Sequence, residues 1–396
     1  MIISPLTQTI LVVLGTRPEA IKLAPVIREL RSRPGARTHV CLTGQHRDMV
    51  SAVLTFFEIE VDADLGLMQP DQSLSGLASR ALAGLDQVIT DVSPDWTVVQ
   101  GDTTTAFAAA LASFHRRVKV AHVEAGLRSF DRSKPFPEEV NRMMTAAVTD
   151  LHFCPTARAS ENLVAERVPV DRIHVVGNTV IDALNLALER LRGDDQTARS
   201  VAASFPGLRR DRPFVLVTGH RRESFGKPFE ELCRAIRDVA QSEDIQFVYP
   251  VHLNPNVRRP VFEILRDVPN VHLGEPIGYP ELVWLAQHCR FVLTDSGGIQ
   301  EEAAALGKPV LVMRDVTERR ESVDAGVSRL VGTSRTVIQE WTLRLLRDRS
   351  TYEKMARRVD VYGDGRASGR IADALGVPAR DYASREFEVE ALGRPA

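Results

Sequence analysis

Short apolar runs recur along this chain, each ending at a turn rich in glycine or charge and each followed by a segment of helical period. In the first half the runs fall at 9–14, 39–43, 96–100, 119–123, 151–154 and 173–176, with helices expected at 18–30, 49–57, 74–91, 104–114, 138–147 and 157–166. The second half repeats the order, with strands at 214–218, 246–249, 271–273, 291–294, 310–313 and 329–331 and helices at 227–240, 281–287, 336–347, 352–359 and 368–375. Such alternation demands parallel strands joined by crossover helices, because parallel neighbours cannot be linked by a tight turn. Runs such as Thr97-Val98-Val99 lack polar alternation and read as strands buried on both faces. The expected fold class is α/β: two doubly wound Rossmann-like domains facing a cleft lined by the carboxyl ends of their strands. A helix at 179–191 runs into a polar stretch at 193–212, which marks the joint between them.

The chain has 396 residues, 44% hydrophobic and 26% charged, which suits two domains of ordinary size. A formal net charge of -2 argues against a nucleic-acid binder. No apolar run approaches the roughly 20 residues of a membrane span, and Met1-Ile2-Ile3-Ser4-Pro5 does not open a signal peptide. Cys41, Cys154, Cys233 and Cys289 are widely spaced with no C-x-x-C pair, so a reduced cytoplasmic protein is expected.

Chemistry-bearing residues gather where the strands end. Asp295-Ser296-Gly297-Gly298 lies between a strand and a helix start, where glycines and free helical N–H groups make a cradle for phosphate. Glu302, about one turn in, suits ribose hydroxyls; the plain alternative is a tight turn that needs glycine for backbone reasons. Gly15-Thr16-Arg17-Pro18-Glu19 follows the first strand, and Arg17 with Lys22 suits an anionic substrate. For Lys22 the alternative is a solvated face with a salt bridge to Glu19. Asp102, after Gly101, is either a helix cap or a cleft carboxylate. Glu124 sits just past a buried strand, where desolvation is expected to raise its pKa. Glu138 opens a helix, where acidic residues are common anyway.

Three carboxylates from separate strand ends, Asp102, Glu124 and Glu138, suit paired acid and base work. His220, after another strand, titrates near neutrality and suits protonation of a departing phosphate. His122-x-Glu124 matches half of a zinc deaminase signature, but the P-C-x-x-C half is missing, so no metal is expected. No G-x-G-x-x-G follows a strand, so no nicotinamide cofactor is expected either.

Taken together these stretches, with Gly177-Asn178-Thr179-Val180-Ile181-Asp182 and residues 314–319, resemble the non-hydrolysing UDP-N-acetylglucosamine 2-epimerases, which have the GT-B fold. The motifs recur in register from about residue 10 to residue 332. The resemblance implies reversible epimerisation at C2 of UDP-N-acetylglucosamine to UDP-N-acetylmannosamine, by elimination and re-addition of UDP. Arg17, Lys22, His220, Ser296, Gly297, Gly298, Glu302 and Arg319 would hold UDP, with Asp102, Glu124 and Glu138 as the acid/base carboxylates beside the sugar. Ile277 and Leu282 stand where many members carry a glutamine and a phenylalanine near the uracil, and Arg320 replaces a usual proline. The resemblance also implies a second, activating sugar nucleotide at Gln45, His46, Glu138, Arg221 and His252, and a homodimer. It divides the chain into residues 1–177 plus 366–396, with the last helix packing back, and a UDP-binding domain at 178–365. Rival readings are a glycosyltransferase of the same fold, a hydrolysing epimerase, an epimerase for a modified diacetamido sugar, and an inactive UDP-sugar sensor.

Overall fold

A computed structural model of the chain describes residues 7–44, 47–69, 72–377 and 379, with the side chains of Arg47 and Asp48 outside that description. The first sheet takes its strands from β1 (Gln8–Leu14), β2 (Ala36–Leu42), β3 (Ala63–Asp64), β4 (Trp96–Gln100), β5 (Lys119–Val123), β6 (Leu151–Cys154) and β7 (Ile173–Val175). Its spatial order is β3-β2-β1-β4-β5-β6-β7, and each neighbouring pair runs parallel. The second sheet comprises β8 (Phe214–Thr218), β9 (Gln246–Pro250), β10 (Val271–Gly274), β11 (Phe291–Thr294), β12 (Val310–Val312) and β13 (Ser328–Leu330). Its order, β10-β9-β8-β11-β12-β13, is again parallel throughout. Both are doubly wound, as the alternation of runs predicts. Strands β4 and β8 are buried at every position, because helices cover both faces.

Each sheet reverses its winding once. The chain works outward from β1 to β3 and then returns to β4; in the second sheet it works outward from β8 to β10 and returns to β11. Helices following adjacent strands diverge at these points, which opens a crevice beyond the carboxyl ends of the strands. The turns at Gly15, Gly101, Gly219 and Asp295 lie at these two switch points.

Three helices depart from the sequence reading, one of them the short Arg320–Asp324. The polar stretch expected to be the joint contains the helix Asp195–Ser204. Asp194 caps it, with its Oδ1 2.8 Å from the N–H of Gln196, while Thr197, Ala198 and Val201 are the residues it buries. The helix Pro255–Leu265 follows a segment that reads as turns; Asn254 caps it and Val257, Val261 and Leu265 form its buried stripe.

The two halves share a hydrophobic layer. The helix Thr179–Leu191 packs against Arg17–Ser32 on one side and against Tyr279–His288 and Gly297–Ala305 on the other. The last described helix, Ala367–Ala374, lies on Arg17–Ser32. Asp182 holds its start, accepting from the N–H groups of Ala367 and Ser368 at 3.2 and 2.8 Å. Among the described residues no helix is long and apolar enough to cross a membrane.

Candidate active site

Glu124, the first residue after β5, has φ +63°. A left-handed backbone is unfavourable for a residue with a Cβ and persists only where surrounding contacts fix it. Those contacts are two cations and an amide: Lys22 Nζ bonds to its Oε2, Arg319 Nη2 lies 3.5 Å from Oε1, and Asn178 Nδ2 donates to Oε2 at 3.2 Å. All four side chains are buried. The expectation that burial raises the Glu124 pKa is therefore corrected. Burial does push it up, but the charges of Lys22 and Arg319 outweigh that and hold the carboxyl below its ordinary range. The Lys22–Glu19 salt bridge weighed from the sequence does not form, because Glu19 is engaged elsewhere. Its carboxylate accepts from the N–H groups of Gly15 and Thr16 at 2.8 and 2.7 Å and from Thr103 Oγ1 at 2.6 Å. Glu19 thus ties together the turns after β1 and β4.

Geometry excludes the helix-cap alternative for Asp102. Thr103, not Asp102, caps the following helix, its hydroxyl accepting from the N–H of Ala106 at 3.0 Å. Asp102 instead meets Arg142 Nη2 at 2.5 Å, and Asn141 donates to its carbonyl at 2.9 Å. Arg142 is steadied by Glu139 at 3.1 Å, whose carboxylate also takes the N–H groups of Ser129 and Phe130 at 3.0 Å each. The helix Glu138–Ala147 is thus a support for Asp102. Glu138, at its start, has a buried Oε2 without a hydrogen-bond partner. His122 Nε2 bonds to the carbonyl of Gly101 at 2.7 Å and stays neutral, burial lowering its pKa to about 4.

In the second half, Asp295 organises the turn after β8. Its Oδ2 accepts from the N–H groups of His220 and Arg221 at 2.7 and 2.8 Å, and His220 Nδ1 stands 3.4 Å from Oδ1. The His220 ring stacks on His252 with centroids 5.4 Å apart. Burial lowers the His220 pKa from its ordinary value against the opposing charge of Asp295, although the side chain keeps an exposed face. Ser296 caps the helix Gly297–Ala305 through its backbone, with no side-chain bond. A Cβ on Gly297 would stand 2.8 Å from Arg319 Cζ, whereas one on Gly298 would meet nothing within 4 Å. Gly297 is explained by the guanidinium and Gly298 is not explained by the protein.

Glu302 accepts from the Tyr279 hydroxyl at 2.8 Å, and burial raises its carboxyl to about 7. Arg17 lies within electrostatic reach of Glu302 and Tyr279. Arg319 reaches Glu301 at 3.0 Å and pairs with Glu318, which Arg221 approaches to 4.0 Å. Ile277 and Leu282 pack at the edge of the second domain's apolar layer. The arrangement joins Lys22, Glu124, Arg319 and Gly297 directly, Arg17 with Glu302, and Asp102 to the rest through the field of Arg142, which senses Arg319 and Glu318. No contact brings Glu138 onto Glu124. Gln45 and His46 lie outside the described residues. A groove of about 610 Å³ lined in part by Lys227, Arg314, Gly332 and Ser334 meets this cluster at Arg314, which pairs with Glu318.

Sequence reasoning missed Asn178, Tyr279, Arg142 and Glu301 as site residues. Asn178 carried a signal, since it follows a strand and a glycine as the other site residues do. Tyr279 carried none.

Residues 28–376 match the family model described as UDP-N-acetylglucosamine 2-epimerase. The UDP-N-acetylglucosamine 2-epimerase of Escherichia coli K12 is 51% identical over 367 residues, covering 92% of this chain and 98% of the relative. The crystal structure of the Neisseria meningitidis UDP-GlcNAc 2-epimerase bound to UDP-GlcNAc is 45% identical at TM-score 0.89, over 93% of this chain and 99% of that one. A glycotransferase of kitacinnamycin, 14% identical at TM-score 0.61 over 94% of this chain and 100% of that one, shares the fold alone. With a seven- and a six-stranded parallel sheet in the GT-B arrangement, this chain belongs to the UDP-N-acetylglucosamine 2-epimerase family.

Proposed function

We propose that the protein interconverts UDP-N-acetylglucosamine and UDP-N-acetylmannosamine. The observation that carries the reading is the clasp of Glu124 by Lys22 and Arg319, which puts a carboxylate for the sugar beside cations for the diphosphate. The hydrogen at C2 is not acidified by a carbonyl, so its removal needs a leaving group at C1. A carboxylate takes the C2 proton, the C1–O bond breaks with its electron pair passing to UDP, and a C1=C2 double bond forms in 2-acetamidoglucal. The UDP oxygen then re-adds to C1 while a proton reaches C2 from the opposite face. Two faces require carboxyl groups on both sides, and Asp102, Glu124 and Glu138 are assigned to them.

Arg17, Lys22, Arg319 and the helix start at Ser296, Gly297 and Gly298 hold the diphosphate and stabilise the charge that develops on it. Glu302 takes ribose, and Ile277 and Leu282 border the base. Burial of the ring lowers the His220 pKa in the free protein; an arriving diphosphate favours its protonated form and equips it to protonate departing UDP. Arg221 and His252, beside His220, are assigned with Gln45, His46 and Glu138 to a second, activating sugar nucleotide. The working unit is a cytoplasmic homodimer of chains divided into residues 1–177 plus 366–396 and 178–365; the seat of the last helix on Arg17–Ser32 supports that division.

Incubation with UDP-N-acetylglucosamine in deuterated water, followed by NMR, tests the reading. Deuterium at C2 of both epimers is expected. No epimer and no exchange removes this substrate; free N-acetylmannosamine with UDP identifies a hydrolysing enzyme, and transfer to an acceptor a glycosyltransferase.

A further inference from the structure

The chain passes between the two sheets at Gly177–Asn178, after β7, and comes back beside that point at Tyr362–Gly363. The two passes touch backbone to backbone. Asn178 N–H donates to the Tyr362 carbonyl at 2.6 Å, and a Cβ on Gly177 would stand 3.1 Å from Gly363 Cα. Gly177 and Gly363 have φ +95° and +122°, conformations that glycine adopts freely. The Tyr362 hydroxyl lies 3.1 Å from the Arg319 carbonyl and 3.0 Å from Ser322 Oγ. Whatever movement the halves make relative to each other must pass through this crossing.

At the crossing the Asn178 side chain is 1% exposed and fully bonded. Its Oδ1 accepts from the N–H of Val180 at 3.1 Å, which fixes the orientation of the amide. Its Nδ2 donates to Glu124 Oε2 at 3.2 Å and to Glu301 Oε2 at 3.1 Å. One carboxylate follows a strand of the first sheet; the other belongs to the helix after β11 in the second. The position needs two donors and one acceptor on a neutral group of this reach. A hydroxyl has one donor and a carboxylate has none, so a carboxamide meets the need. Neutrality matters as well, because an anionic side chain here would lie against both the Glu124 and the Glu301 carboxylates.

We infer that Asn178 is a positioning residue, which transmits the relative placement of the two halves to the Glu124 carboxylate. The inference rests on the assignment of Glu124 to the sugar's C2 hydrogen. Asn178 holds Glu124 against Lys22 and Arg319 and fixes its distance from Glu301, so that the base is aligned only when the crossing is correctly seated. Two donated bonds also favour the ionised forms of both carboxyl groups.

Two variants separate this role from simple support of the fold. Asn178→Ser keeps an oxygen to cap the helix Thr179–Leu191 but cannot donate to both carboxylates. Asn178→Asp keeps the shape and adds a third anion with no donor. For both, kcat for C2 exchange is expected to fall roughly 10²-fold, while KM changes less than about fivefold. The acid limb of the kcat–pH profile is expected to move upward by about one unit, more in the aspartate variant, because Glu124 loses support for its charged form. The serine variant, with the helix cap kept, is expected to melt close to the wild type and serves if the aspartate variant does not fold. Wild-type kcat in the serine variant overturns the inference. So does a rise in KM alone, or a loss of kcat with an unmoved acid limb, which marks general loosening. An inactive wild type defeats the proposed function instead, so the two failures are distinguishable.

Discussion

Two carboxyl groups of each half are held oppositely: Asp102 and Glu124, just past β4 and β5, and Asp295 and Glu302, one just past β11 and the other in the helix that follows it. In the first half the partners are cations: Lys22 and Arg319 at Glu124, Arg142 at Asp102. In the second they are neutral donors: backbone N–H groups at Asp295 and a tyrosine hydroxyl at Glu302. The electrostatic outcome follows. Glu124 is held below its ordinary pKa although it is buried, while burial carries Glu302 up to about 7. Glu124 and Glu302 are both buried, and their partners decide what each carboxyl group does. A carboxylate kept ionised suits proton abstraction. One that is half protonated at neutrality adds little negative charge to a wall that must accept a diphosphate.

The sharpest way to break this contrast is to remove the charge from the first half. Glu124→Gln keeps the size and an acceptor for Lys22 but cannot take a proton. C2 exchange is expected to fall by roughly 10³-fold, while UDP affinity, measured by calorimetry, stays within a few-fold or improves as the cations are released. Exchange at the wild-type rate would remove Glu124 from the chemistry and with it the assigned difference between the halves.

The counterpart in the second half, Glu302→Gln, is expected to act on stability with the opposite sign from most site substitutions. A carboxyl whose folded pKa lies above its unfolded value stabilises the fold fully only below the unfolded value, and that contribution is lost as pH rises through the folded one. For Glu302 the window runs from 4.5 to about 7. Removing the group should therefore make little difference at pH 4 and stabilise the ligand-free protein increasingly up to about pH 7, by as much as ~3 kcal/mol, with no further gain above. Denaturant titrations at pH 5 and pH 8 measure this. Equal offsets at the two pH values would show that Glu302 is not strained by ionisation. UDP affinity should fall at the same time, since ribose loses its acceptor.

How much of this was legible in the sequence follows from the range of each interaction. A parallel α/β sheet forces every strand end onto one edge, so Gly15, Asp102, Glu124, His220 and Asp295 could be gathered from local pattern alone. The burial of Glu124 was legible too, from the apolar run Val120-Ala121 before it. The sign of its pKa shift was not, because Lys22 stands 102 positions away and Arg319 farther still. Asp102 reads equally as a cap or a cleft group in the sequence; the capping bond goes to Thr103, and Asp102 pairs with Arg142, 40 positions on. The helix Asp195–Ser204 was hidden for a different reason: it buries only Thr197, Ala198 and Val201, too thin a stripe to register as helical periodicity. Tyr279 reaches Glu302 from one side and packs on Phe56 and Phe57 of the first half from the other, with centroids 6.3 and 5.9 Å away; neither neighbour is near it in sequence.

The smallest effect is expected at the glycine pair, where the comparison moves from the two halves to adjacent residues. A methyl at Gly297 meets Arg319 Cζ at 2.8 Å, and that guanidinium cannot retreat, because Glu301, Glu318 and Glu124 hold it. Gly297→Ala is therefore expected to destabilise the free protein by about 1–3 kcal/mol. A methyl at Gly298 enters open space, in the first turn of a helix where alanine is at least as favourable as glycine. Gly298→Ala should leave the unfolding free energy within about 0.5 kcal/mol of the wild type. If that open space is where a phosphate approaches the free N–H groups of the helix start, the same methyl should weaken UDP binding roughly tenfold, or about 1.4 kcal/mol. Calorimetric titration with UDP beside a melting curve distinguishes the alternatives: unchanged affinity in Gly298→Ala would make the pair a turn device and move the diphosphate away from this helix.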